Sequence, residues 1–145
     1  MQRQSWQLVV LVAALALALA GPVWADAGLT KMLVESYDLL EAGKLAEAQK
    51  IYEQILKQDP GNPLALNNLG AIKVKENKLS EALSCLSQAL DRAQGYKLQV
   101  NRVCDMQGLC LAFRPQEAVY GDQELAPLIQ LNLSLVKGKV AAAKK

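Results

Sequence analysis

The chain has 145 residues, with 16 basic against 14 acidic side chains and no histidine. So balanced a charge argues against nucleic acid, which needs clustered excess Lys and Arg. Lacking histidine, the chain has no Cys–His dyad, no c-type haem attachment and neither the commonest general base nor the commonest metal ligand, and no cofactor is expected.

Residues 1–25 read as a secretory leader. Arg3 is basic, and Leu8 to Ala20 is an apolar run of 13 residues, shorter than the roughly 20 that cross a bilayer core. Gly21-Pro22 breaks the run. Val23 and Ala25 then stand three and one before a cut after Ala25. The alternative is a retained anchor with Trp6 and Trp24 at the interfaces. No cysteine follows the run, which argues against a lipid-modified N-terminus. Arg3 is the leader's single charge, so a mature chain starting at Asp26 keeps 15 basic and 14 acidic groups. The expected product is periplasmic or extracellular, with no stable membrane insertion once the leader is gone.

Helical spacing predicts a first helix over about 29–42, with Leu29, Met32, Ser36, Leu39 and Leu40 on one face and Gly43 ending it. A second spans about 45–58, with Leu45, Ala48, Tyr52, Ile55 and Leu56 inward, and stops at Asp59-Pro60-Gly61. Asn62 and Pro63 have the chemistry of a helix start. The third helix runs to about Glu76, Asn77 takes the turn, and the fourth covers about 79–93. Residues 95–126 form an insertion. Within it Val100–Asp105 and Leu109–Phe113 lean toward strand, and Met106-Gln107-Gly108 fits a three-residue hairpin loop. That register sets Cys104 opposite Cys110, within disulfide range, in a chain sent to an oxidising compartment. Cys85 is expected as a packing residue of the fourth helix. Residues 127–142 read as a closing helix, and Lys137, Lys139, Lys144 and Lys145 form a small basic cluster over its end and the tail. The tail is expected to be a solvated helix end; a lipid-headgroup contact is the other reading.

Shifted by 34 residues, Lys44, Leu45, Glu47, Ala48, Gln54 and Leu56 fall on Lys78, Leu79, Glu81, Ala82, Gln88 and Leu90. Residues 28–61 and 62–94 are thus two repeats of paired helices. Pro127, Leu128, Asn132 and Leu133 repeat Pro63, Leu64, Asn68 and Leu69 as a displaced third half-repeat. In the second repeat, Leu66, Leu69, Gly70, Ala82, Leu86 and Ala89 follow the order W-x2-L-G, then A-x3-F. In the first, Met32, Ala48, Tyr52 and Pro60 do so, while Glu35 and Ser36 depart from it. Lys73 replaces the expected Tyr, and Gln94 the expected Pro. This pattern resembles the tetratricopeptide repeat family. The resemblance implies an all-α helix-turn-helix solenoid of two repeats plus a capping helix, with the insertion between them.

It also implies a concave groove lined by the first helix of each repeat: Leu33, Tyr37 and Leu40, then Asn67, Asn68, Ala71, Val74 and Lys75, then Asn132 and Leu135. In the family, asparagine at the places of Asn68 and Asn132 bonds the backbone of a bound peptide. The family's clamp for a C-terminal carboxylate needs Lys or Arg where this chain has Leu33, Tyr37, Leu128 and Asn132, so that clamp is absent. An apolar groove with amide handles suits an amphipathic helix or an extended segment. The expected function is a non-enzymatic adaptor or assembly factor of the cell envelope that holds a protein partner. The alternative is a structural subunit packed into a larger periplasmic or extracellular assembly or filament; either is compatible with self-association.

Overall fold

The computed structural model describes residues 27–97, 100–103, 109, 111–115 and 124–144. Five helices and one two-stranded sheet lie among them: α1 (Ala27–Glu41), α2 (Leu45–Gln58), α3 (Pro63–Lys75), α4 (Leu79–Arg92), β1 (Val100–Val103), β2 (Ala112–Pro115) and α5 (Leu125–Ala142). The fold is an all-α helical solenoid with a small hairpin set into it.

Both helix pairs turn in the same way. Gly43 and Asn77 take φ of 76° and 61°, the left-handed conformation in which glycine is free and asparagine is tolerated. The residue after each closes the helix, with the Lys44 N–H donating to Leu39 O at 2.9 Å and the Lys78 N–H to Lys73 O at 2.8 Å. This six-to-one bond satisfies carbonyls that would otherwise end the helix unpaired. At the start of α3, Pro63 occupies the first turn, where no N–H is missed, and the Asn62 side chain accepts the Ala65 N–H at 3.0 Å.

Successive helices pack on one another, α1 on α2, α2 on α3, α3 on α4 and α4 on α5. The α3–α4 contact is closest at Gly70, where a Cβ would stand 3.0 Å from Leu86 Cγ and 3.4 Å from the Ala82 carbonyl. The small residues of the repeat pattern are therefore needed for backbone approach. Lys73, where the pattern has Tyr, stays half-buried and pairs with Glu76 and Glu81 at 3.4 and 3.5 Å. Lys78 pairs with Glu76 at 2.9 Å, and its donation holds the Glu76 carboxyl below the usual range. These pairs are water-screened and add little to stability.

Helix α3 has no solvent face over most of its length: eleven of its 13 residues are buried. An outer helix would show one apolar stripe. Here α2 and α4 cover one side, and α1 and β2 press on the other.

The sheet pairs β1 and β2 antiparallel, with Val103 opposite Ala112 and Val100 opposite Pro115. This corrects the expected register by one residue, since Cys104 opposite Cys110 would set Val103 against Leu111. Residues of an antiparallel strand point their main-chain groups alternately to either side. The Phe113 N–H and C=O both turn toward α3, so Ala112 and Arg114 face β1. Cys104, Cys110 and the expected loop Met106–Gly108 lie outside the described residues, and so does the leader. Helix α5 begins at Leu125, two residues before the expected start, because its N–H bonds Tyr96 O at 3.0 Å and Glu124 bridges Lys97. Those contacts close the neck of the insertion.

Candidate functional site

The first helices of the repeats, α1 and α3, together with α5, line one face of the stack, and β2 lies along it. Leu33, Tyr37 and Leu40 on α1 are 5%, 2% and 1% exposed. On α3, Asn67, Asn68, Ala71 and Val74 are fully buried, as is Asn132 on α5. Leu135 is half-buried and Lys75 exposed. The space expected for a partner is thus filled in this chain by its own residues 111–115.

The three asparagines are brought together, and their amides are used completely. Asn67 Nδ2 donates to Leu111 O at 2.8 Å and to Asn68 Oδ1 at 3.1 Å. Asn132 Nδ2 donates to the same Leu111 O at 2.9 Å and to Asn67 Oδ1 at 3.0 Å. Asn68 Nδ2 donates to Phe113 O at 2.7 Å and to the Tyr52 hydroxyl at 3.0 Å, while its Oδ1 accepts the Phe113 N–H at 2.9 Å. Each Nδ2 therefore has both protons placed, and Leu111 O has both lone pairs filled. Asn68 reads the N–H and C=O of one residue, as a neighbouring strand would. Among the described residues, no buried side-chain polar atom lacks a partner.

Residues that were not expected to line the groove complete the arrangement. Tyr52 of α2 supports Asn68 from behind and contacts Ser36, and burial pushes its hydroxyl pKa up to about 12. Ser36 is itself buried and donates to Leu33 O at 3.0 Å. Arg114 leaves β2 toward α1, with Nε 3.1 Å from Asp38 Oδ1 and the guanidinium 5.8 Å from the centre of the Tyr37 ring. Burial is the main reason the Tyr37 hydroxyl is raised; Arg114 opposes it. Leu111, Ala112 and Phe113 are fully buried against this face. A periodic strand signal marks 109–113 in the sequence, but no local signal says where that strand docks.

No group of three His, Cys, Asp or Glu able to hold a metal occurs among the described residues. Nor is any helix there long and apolar enough to cross a membrane. What the face can do chemically is hold an extended main chain through amide pairs and receive its side chains in apolar space.

Residues 39–101 match the family model described as Tetratricopeptide repeat. No curated protein and no solved structure matches the chain. With two helix pairs at a constant period, closed by the same turn, the chain carries tetratricopeptide repeats over the matched residues.

Proposed function

We propose that this chain is a non-enzymatic adaptor or assembly factor of the cell envelope, which holds an extended segment of a protein partner on the concave face of its repeats. Tetratricopeptide repeats are protein-interaction modules, and that coarser role follows from the family. The finer reading is carried by one observation: Asn67, Asn68 and Asn132 bond the main chain of an extended strand in that concavity. Amides that read N–H and C=O groups need no particular side chain, so a second extended segment of suitable shape meets the same chemistry. The complete lack of histidine supports a role without catalysis.

Export rests on residues 1–25, with a cut after Ala25. N-terminal sequencing of the protein from the producing cell should begin at Asp26, and Met1 on a membrane-bound product would overturn export as a soluble protein. Partner binding is tested by amine cross-linking in intact cells and mass spectrometry of the adducts. The expected result is one heterologous protein linked through Lys75, at the end of α3. Cross-links only within this chain would overturn the adaptor reading.

The alternative, a subunit of a larger assembly, is favoured by the outer face of α5. There Leu131 is 44% exposed, between half-buried Leu128 and Leu135. Such an assembly would elute large from gel filtration, whereas an adaptor elutes as a monomer or small oligomer.

A further inference from the structure

We propose that residues 111–115 are a ligand carried in cis, and that the partner is an extended segment of the same chemistry, aliphatic, small, aromatic, then cationic, which enters in their place. The proposal rests on the reading of the concave face as a binding groove. Three observations carry it.

The helices form a continuous stack without the hairpin, each packed on the next. The groove walls therefore do not depend on β2 for their order. Next, the hairpin meets the helices as a bound peptide would. Among the described residues its main-chain pairs run between β1 and β2 and across the neck, at Lys97–Glu124 and Tyr96–Leu125. Toward the groove the main chain of 111–115 is met by side-chain amides. Finally, the amides explain why the groove is always filled. Emptying it would strand three buried asparagines that are now fully satisfied, and unsatisfied buried amides are costly. Exchanging one extended segment for another keeps every bond, so replacement is far easier than opening.

The side chains of the cis segment state the partner's requirements. Leu111 and Phe113 stand two apart, as on one face of a strand, and both are fully buried. Ala112, on the other face of the strand, is equally buried. Arg114 follows, its side chain 34% exposed, against the Asp38 carboxylate and the Tyr37 ring. A tethered segment has a high effective concentration, so a free segment binds the parent chain weakly. Weakening the cis segment raises the fraction of chains able to bind it.

The test is a fluorescein-labelled peptide of residues 109–116, carrying Cys110→Ser, titrated by anisotropy into the full-length mature chain. The Phe113→Ala chain should bind it at least about tenfold more tightly than the parent. Adding Asn68→Leu to that chain should abolish binding, and a peptide carrying Phe113→Asp should bind neither. Equal affinity for the parent and Phe113→Ala, or no saturable binding to a Phe113→Ala chain that keeps its helical circular dichroism, would overturn the proposal. Arg114→Ala removes only a part-exposed tie and provides a second chain should Phe113→Ala not fold; it should bind the peptide a few-fold more tightly than the parent, and no increase overturns the proposal. A parent chain that dimerises by exchanging hairpins while ignoring the peptide would make the occupant a second copy, and would also overturn it. If the peptide fails while the cross-link through Lys75 persists, the cis ligand is wrong and the adaptor stands. If the peptide binds but no heterologous cross-link forms, the reverse holds.

Discussion

Asn68→Ala is expected to destabilise the fold by about 2–4 kcal/mol. The Asn68 amide satisfies the Phe113 N–H at 2.9 Å and the Phe113 carbonyl at 2.7 Å, in a residue with no exposure. Truncation orphans both groups, and each buried orphan costs about 1–3 kcal/mol. The Tyr52 hydroxyl loses one donor but keeps its contact with Ser36. The vacated amide volume is polar and near the size of one water, which recovers part of the loss and sets the lower end of the range. At about 4–8 °C per kcal/mol for a small domain, the melting temperature should fall by about 8–30 °C. The assay is guanidinium and thermal unfolding followed at 222 nm, with the denaturant slope unchanged. Gln130→Ala, at an exposed position of α5, is the control and should cost little. A loss below about 0.5 kcal/mol for Asn68→Ala, the ordinary effect of a surface change, would mean that β2 is not seated on α3 and would refute the account of the groove.

Gly70→Val drives a branched side chain into Leu86, already 3.0 Å from a Cβ at that place. Overpacking costs about 1–3 kcal/mol against a helix-propensity gain below about 1 kcal/mol, so urea unfolding should show a net loss, and unchanged stability would contradict the close α3–α4 contact. Tyr52 is held up to about 12 by burial, from an ordinary 10. A raised pKa leaves its stabilisation intact below pH 10 and removes it as pH climbs toward 12, at about 1.4 kcal/mol per unit. Stability curves from pH 8 to 12 should steepen above 10, less so in Tyr52→Phe, and identical curves would count against burial of the hydroxyl. Non-reducing peptide mapping of the exported protein tests whether Cys104 and Cys110 are bonded despite the shifted register; Cys85 should be found as a thiol, and a bond from it to either would contradict its place in α4. Cys85 should also alkylate slowly, because burial raises its thiol pKa.

The repeat architecture was open to sequence reading because its causes are local. A left-handed turn at Gly43 or Asn77, a proline after the Asn62 cap and apolar residues at helical spacing each act within one or two turns of chain. Ala82 was legible for a related reason: the 34-residue period sets it on Ala48, and Gly70 follows the Leu-Gly pair of the second repeat. Those signals bounded α2 at Leu45–Gln58 and α4 within one residue of its end.

The concave face differs because its partners are remote. Asn67 and Asn68 meet Leu111 and Phe113 across separations of 44 and 45 residues, and no pattern within either segment encodes that meeting. An asparagine at that place has the same local sequence whether it faces water, a partner or its own chain. The register of the hairpin followed the same logic. Turn chemistry alone placed Val103 against Leu111, while the tertiary fold engages Leu111 and Phe113 with amides on α3 and α5 and sets Val103 against Ala112. Local chemistry and periodicity determined the helices, their turns and their stacking. Tertiary contact decided what lies in the groove, because a strand with alternating main-chain groups and buried amides with protons to place satisfy one another only once the solenoid has brought them together.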